Sequence, residues 1–326
     1  MSYTTISEVF QSEGFADYAR ERTVALNALV QSGAMITDPK FNELIKDRAF
    51  IVEMPFWKPL DGDDEVITDS SSLTVNALAN GKQMAVKLVR GKAFGMSDLA
   101  GMATGENKEK LIAEGLAEYW NKKINNIITA ELNGLFAANG ALKSHLLDES
   151  NSVISGEFMT RVQGKMGDHY KNLTFVVMHS AIYHKLRELQ LIDNIPDATN
   201  PAGSFETWQG KRVIVDDACT VNNGVYDTYM FGAGAFAYGS GAVPDDNLPE
   251  YEIVRDGLGS KTAVVSRRCM IIHPIGFQYK GQNITSTTTP TNSNLATANK
   301  WELAYDHKNI PMVCLRCRAE SEESES

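Results

Sequence analysis

Little in this chain of 326 residues provides for covalent cross-bracing, membrane insertion or the holding of nucleic acid by charge. Its four cysteines, Cys219, Cys269, Cys314 and Cys317, are too few for a disulfide scaffold at this length. No apolar run approaches the ~20 residues that cross a bilayer. Residues 1–15 have neither the basic nor the apolar region of a secretory signal. Lys and Arg number 31 against 41 Asp and Glu, and the formal charge of −10 leaves no global basic surface for phosphates. A membrane-spanning chain, a disulfide-built secreted domain and a DNA-binding regulator are all disfavoured. The expectation is a soluble protein of a reducing cytoplasm. What is present is ordinary for a globular protein, 43% hydrophobic and 22% charged. The length allows one large or two modest domains, and no internal repeat is visible.

The chain begins as a loose polar arm. Phe15, Tyr18, Arg22, Ala25, Leu26, Leu29 and Val30 then recur at helical spacing, with Gly33 as C-terminal cap. A short helix is predicted over Pro39 to Lys46, and a strand over Phe50 to Trp57. Lys58 to Lys92 reads as a projecting β-hairpin, with the acidic Asp61-Gly62-Asp63-Asp64-Glu65, the serines 70–72 and a returning strand at Met84 to Arg90. Two-stranded ribbons are marginal in water, so this one needs a partner surface. An active-site lid is the alternative.

The clearest helix is predicted from about Asn107 to Ala138, roughly 45 Å at 1.5 Å per residue. Its stripe is Ile112, Leu116, Tyr119, Ile124, Ile127, Ile128, Leu132, Leu135 and Phe136, with Lys108, Lys122, Lys123 and Glu131 largely outside it and Gly140 ending it. Glu157 to Met166 reads as a helix and Leu173 to Met178 as a buried strand. Ser180 caps a helix with Ile182, Leu186, Leu189 and Leu191 inward. Strands follow at Lys211 to Val215, Tyr226 to Phe231, Glu252 to Val254, Thr262 to Gly276 and Met312 to Arg316, with a loop at Asn283 to Asn299. The last residues, Glu320 to Ser326, are all Glu or Ser and are expected to be solvated.

Each candidate for chemistry fails on spacing or context. Gly232-Ala233-Gly234-Ala235-Phe236-Ala237 satisfies the dinucleotide fingerprint, but Gly239, Gly241 and Pro244 interrupt the helix that must follow. A calcium loop counted from Asp61 puts Val66 and Ser72 where Gly and Glu are required. Cys314 and Cys317 have metal-knuckle spacing without a second pair, and on a strand their thiols point to opposite faces. Half-buried structural cysteines are expected. Of the histidines, His145, His169, His179, His184, His273 and His307, the pair His179 and His184 stands five apart and misses the one-face zinc geometry. Ser240 between Gly239 and Gly241 lacks the frame of a nucleophile elbow. Catalytic, metal and cofactor-binding residues are therefore assigned to none.

The order of features resembles the major capsid proteins of tailed phages with the Hong Kong 97-type fold, most of all the gp13-like branch. Met54-Pro55-Phe56-Trp57 through Gly62-Asp63-Asp64-Glu65 resembles the way into that family's extended hairpin, the E-loop. Arg90-Gly91-Lys92-Ala93-Phe94-Gly95 with Ser97-Asp98-Leu99-Ala100 resembles the way out, and Glu109 to Phe136, around Tyr119-Trp120, its spine helix. Met178-His179-Ser180-Ala181, Gly210 to Asp217, Tyr229 to Ala235 and Arg267-Arg268 with His273-Pro274-Ile275-Gly276-Phe277 resemble the axial domain in order. Trp301-Glu302 and Lys308-Asn309-Ile310 resemble the lead into the return strand. The resemblance runs from about Arg22 to Cys314.

It implies an α+β fold with an N-terminal arm at 1–50, the E-loop hairpin and its flanks at 51–100, and a peripheral domain at 101–155 and 285–318. The axial domain falls at 156–284 and an acidic tail at 319–326. It further implies a homo-oligomer of hexamers and pentamers closing into an icosahedral head around double-stranded DNA, with no sequence-specific binding and no membrane. Portal, scaffolding and possible decoration proteins are the implied partners, the virion the location, and the host cytoplasm the place of assembly. A net-negative wall would let packaged DNA slide. Lys82, Lys87 and Lys92 lie on or near the hairpin, but lysine there is compositionally ordinary, so no cross-linking residue is assigned. The rivals are an encapsulin-type cellular compartment and a nucleotide-dependent cytosolic enzyme. For the latter, calorimetry is expected to show no saturable binding of NAD or NADP; micromolar binding lost on Gly234→Val would revive it.

Overall fold

A computed structural model describes residues 33–37, 39–57, 64–67, 75, 80–97, 108–196, 204–245, 248–255, 261–281 and 289–320. In chain order the elements are β1 (Met35–Thr37), α1 (Pro39–Lys46), β2 (Ile51–Trp57), β3 (Asn80–Ser97) and the long helix α2 (Lys108–Leu135). Next come β4 (Leu146–Val153), α3 (Gly156–Gln163), β5 (Leu173–Met178), α4 (Ser180–Glu188), β6 (Ile192–Pro196), β7 (Ser204–Trp208) and β8 (Lys211–Val215). The chain continues through β9 (Val221–Asn222), β10 (Val225–Gly232), β11 (Phe236–Gly241), β12 (Tyr251–Arg255), β13 (Lys261–Pro274) and β14 (Phe277–Tyr279). It ends with α5 (Asn292–Leu295), β15 (Trp301–Leu303) and β16 (Met312–Arg318).

Two sheets organise these elements. One runs β1-β11-β13-β3-β2, with β12 on the same flank of β13 as β11 but further along it. The other runs β4-β16-β10-β5-β8-β7-β6, with β9 on β10. Side chains alternate across a strand, so a strand covered on both faces serves two cores. In β10, Tyr229 and Phe231 face a core under α2, while Met230 faces a second core under α3 and α4. In β13, Met270 and Ile272 join the first core, while Cys269 and Ile271 join a small third one beneath α1. The chain crosses between sheets at Gly232 to Gly234. A β-carbon on Gly232 would stand 2.5 Å from the Asn172 carbonyl oxygen. Gly234 has φ +71° and donates its N–H to the Gly33 carbonyl. The glycines serve that crossing.

The stripe of α2 is the spacing of Leu116, Trp120, Ile124, Ile127, Ile128, Leu132 and Leu135, all buried. Two polar contacts lock it to the first sheet. The Trp120 indole donates to Ser266 Oγ at 2.9 Å, and the fully buried Arg268 guanidinium lies 5.3 Å over the Trp120 ring. Arg268 also donates to the Tyr251 hydroxyl at 3.0 Å and approaches Glu250 at 3.7 Å.

Several expectations change. The returning arm of the hairpin is core: Ala85, Val86, Lys87 and Leu88 are all buried. The reason is that β3 is an inner strand of 18 residues, covered by α2 on one face and α1 on the other. Lys87 survives there because its ammonium donates to the carbonyls of Ile45 and Asp47, capping the C-terminus of α1 from a neighbouring strand. Glu131 is buried, since it stands three and four residues from Ile128 and Ile127 and so falls in the stripe. The helix stops at Leu135, and Gly140 closes the following turn. His179, not Ser180, caps α4, its Nδ1 accepting from the Ala181 N–H at 3.1 Å. Leu189 is exposed. The strand expected to reach Gly276 breaks at a turn with Gly276 at φ +94° and resumes as β14. The expected loop holds α5, capped by Thr291. All four cysteines are buried rather than half-buried. The helix around Phe15 to Val30, most of the hairpin tip and Ser321 to Ser326 lie outside the described residues.

Two outcomes test this core. Ile127→Asp both empties a packed site and buries a carboxylate, a loss of about 4 kcal/mol or more. Against a total stability on the order of 5–15 kcal/mol, insoluble protein is expected on expression; a soluble, cooperatively melting variant would place this face in solvent. Among the described residues, neither Glu131 oxygen has a hydrogen-bond partner, and burial holds its pKa well above 4.5. A raised folded-state pKa means the stability is complete below the unfolded pKa and is lost as pH rises. Glu131→Gln should therefore match the parent near pH 4 and gain over it above that, by up to about 1.4 kcal/mol per pH unit until the folded pKa is reached. Urea melts of the subunit across pH 4–7 measure this; parallel pH profiles would refute it.

Candidate assembly surfaces

β2 and the start of β3 form the base of the hairpin, pairing antiparallel from Ile51↔Val86 to Trp57↔Asn80. That base is anchored. Phe56 lies edge-on to Tyr305 at 4.3 Å, and Gly81 opposite it leaves room, since a β-carbon there would come within 2.3 Å of the ring. Gln83 donates to the Tyr305 hydroxyl at 2.6 Å and accepts the Gly276 N–H at 3.0 Å. The exposed Lys82–Glu53 pair at 2.7 Å adds little stability.

Beyond the anchor the surface turns apolar and wet. Trp57 is 67% exposed, Val66 82%, Ile67 77% and Val75 94%, next to the exposed acids Asp64 and Glu65. Large apolar side chains at this exposure add little to the fold and leave apolar area for another surface to cover. Asp61, Gly62 and Asp63 of the failed calcium pattern lie outside the described residues. Of the hairpin lysines, Lys82 and Lys92 are exposed and Lys87 is buried.

The chemistry-bearing residues sort into structural roles. His179, Ser180 and Asp217 come together, a trio the sequence did not predict: His179 Nδ1 lies 3.5 Å from Ser180 Oγ, and its Nε2 lies 3.7 Å from Asp217. The imidazole nitrogen nearest the serine already accepts the Ala181 N–H, so it is unavailable as a base. Asp217 accepts the Ser180 N–H at 3.1 Å, and those hydrogen bonds hold its carboxyl below the usual range. The trio completes a helix N-terminus. Sequence adjacency could have flagged the His-Ser pair, but Asp217 arrives from the end of β8 only through the fold.

His145 is fully buried, with Nδ1 2.8 Å from the Met312 carbonyl and Nε2 3.1 Å from His307 Nδ1. Burial, then the neighbouring His307, lowers its pKa, so it is neutral. His273 is held to the Phe277 carbonyl at 3.0 Å, and burial lowers its pKa to about 4. Cys314 and Cys317 point into different cores, and burial raises both thiols, Cys317 to about 12. Neither is poised to ligate a metal. Among the described residues, no group of three or more His, Cys, Asp or Glu is placed to hold a metal ion, and no helix is long and apolar enough to cross a membrane.

Known proteins share both this sequence and this architecture. The family described as Gp13-like, major capsid protein 13-like, matches residues 52–313. The major capsid protein of Bacillus phage SPP1 is 34% identical over 331 residues, covering 98% of this chain and all of that protein. Among solved structures, the capsid of Ralstonia phage GP4 superposes with a TM-score of 0.59 at 10% identity, covering 89% of this chain and 88% of that one. The head of Helicobacter pylori bacteriophage KHP40 gives 0.53 at 10% identity, over 88% and 86%. At such identities the structures establish the fold, that of Hong Kong 97-type phage capsids, and the sequence matches establish the rest. With a family match across most of its length and a full-length relative at one-third identity, the chain belongs to the Gp13-like family of phage major capsid proteins.

Proposed function

We propose that this subunit builds the head shell of a tailed double-stranded DNA phage by closing first into hexamers and pentamers and then into an icosahedral wall. The full-length relationship to a phage major capsid protein carries the reading. The exposed apolar hairpin supports it from the physical side, because a folded subunit that leaves Trp57, Val66, Ile67 and Val75 in water has a surface made for another molecule.

In this reading the β2–β3 hairpin is the E-loop, α2 is the spine, residues 156–284 make the axial domain, and 101–155 with 285–318 make the peripheral domain. Residues 1–50 serve as the arm and 319–326 as an acidic tail. Heterologous edges of one flat subunit close into rings when the rotation is right. The charge of −10 favours a wall along which packaged DNA slides without sequence-specific contact. A portal, a scaffolding protein and decoration proteins complete the partners. Assembly takes place in the host cytoplasm and the subunit ends in the virion, with no catalytic role.

The buried part of β3 sets where the hairpin may be cut. Replacing residues 61–79 with a short Gly-Ser turn spares the buried Gln83, Ala85, Val86, Lys87 and Leu88. The product should be a soluble subunit that melts cooperatively and forms no closed shells by light scattering and negative-stain microscopy. Normal shells from the shortened chain would make the tip dispensable, and global unfolding would make it core. A full-length protein that stays a monomer at all concentrations would refute the shell itself.

A further inference from the structure

Residues 304–311 run as a strap between β15 and β16. The strap carries one seat of the hairpin base, since Tyr305 meets Phe56 edge-on and its hydroxyl accepts from the Gln83 amide. Its two ends are held by the backbone. The Gly276 carbonyl accepts the Ala304 N–H at 2.8 Å and the Tyr305 N–H at 3.2 Å, and the Pro311 carbonyl accepts the Gly232 N–H at 2.9 Å. Ile310 is fully buried. Between them, His307–Asn309 make a single turn with none of its residues buried. Among the described residues, the one side-chain hydrogen bond that ties this turn to the body joins His307 to His145.

The chemistry of that bond depends on protons. A carbonyl can only accept, so His145 Nδ1 gives its proton to the Met312 oxygen at 2.8 Å. The neutral ring keeps Nε2 as an acceptor, and His307 Nδ1 donates to it at 3.1 Å. One added proton can be shared across this bond. A second leaves a charged ring and an N–H on each side. No carboxylate offsets them: the only charge that bears on the His145 proton among the described residues is that of His307. Around the pair, Lys143 stands on the first turn, and Lys165, Asp168, His169, Tyr170 and Lys171 on residues 164–172. Asp306 and Lys308 flank His307, and β16 adds the buried Cys314 and Cys317 with Arg316 and Arg318. Of the two acids, Asp168 is exposed 3.9 Å from His169, and Asp306 accepts the Lys308 N–H. Burial first, and then His307, push the His145 pKa below its ordinary 6.5. A lowered folded-state value means that the closed arrangement is fully stable above pH 6.5 and loses stability as pH falls through the lowered value.

We propose that His145 and His307 form an acid-sensitive latch, which at neutral pH holds the strap and with it the Tyr305 seat of the hairpin base. When both rings carry a proton the latch opens, the turn at 307–309 leaves the body, and the seat of the hairpin loosens. The latch belongs to the folded subunit and stands apart from the shell reading.

Amide hydrogen exchange on the full-length protein, read by mass spectrometry and corrected for intrinsic rates, tests the latch. Between pH 7.5 and 5.0, protection of peptides covering 301–312 and 51–57 should fall by about fivefold or more. Peptides covering β10 should keep theirs. His307→Asn is the control, because its amide can donate to His145 Nε2 when that ring is neutral and accept from it when charged. The variant should match the parent at pH 7.5 and lose about two-thirds or more of the change at pH 5.0. His307→Gln, with the same amide, replaces it if it does not fold. A pH series on the parent alone should be level above about pH 7 and bend downward near 6.5.

A strap equally protected at both pH values, or better protected in acid, would overturn the latch. So would a change of full size in the amide variant, which would assign the effect to burial of His145 alone. Loss of protection in β10 along with the strap would mean global unfolding and rule out a local device. A strap that opens while 51–57 stays protected would break the link to the hairpin, and the proposal with it.

Discussion

The rest of the molecule depends on one shared core. The stripe of α2 is covered from both sheets at once, by Val86, Leu88, Phe236, Tyr238, Met270 and Ile272 of the first and by Val177, Ile214, Tyr229, Phe231, Met312 and Cys314 of the second. A 28-residue helix, about 42 Å long at 1.5 Å per residue, has little stability of its own in water. It persists because two sheets bury it, and the sheets keep their relation because both pack on it. Arg268 makes the contact specific. A buried guanidinium with its Glu250 partner contributes little net stability, yet removing one partner costs about 3–5 kcal/mol, so alternative packings of α2 that strand either charge are excluded.

Strands buried on both faces follow from that arrangement. β10, β13 and β16 each supply residues to two cores, which leaves little tolerance for a slip in register, since one residue's shift exchanges the faces. The same rule explains the cysteines. Cys314 and Cys317, three apart on β16, belong to opposite cores, and a sequence that reads as a metal knuckle is two small hydrophobes.

Against this rigid body the hairpin has a divided character. Its base is tied down by Phe56, Gln83 and the pairing of β2 with β3, while Val66, Ile67 and Val75 are left to water. The proposed assembly role would use that division: a fixed base would aim the contact surface, and apolar groups withheld from the fold would supply the free energy of association when a neighbour covers them.

The order of strands and helices and the length of α2 were readable in the sequence, because hydrophobic period and Gly and Pro punctuation are local properties. So was the family resemblance, carried by many short matches in order from Met54 to Ile310. Local properties fail where a partner from elsewhere decides. Glu131 reads as a surface charge by its chemistry, and its place three and four residues from two buried isoleucines puts it inside. Lys87 hides a buried strand by interrupting Met84 to Val89, and only the carbonyls at the end of α1 account for it. The joining of Asp217 to His179 depends on long-range pairing, which no spacing along the chain encodes. Sequence determined what each segment could become; the tertiary structure decided which faces were covered, because burial belongs to pairs of elements and not to either one alone.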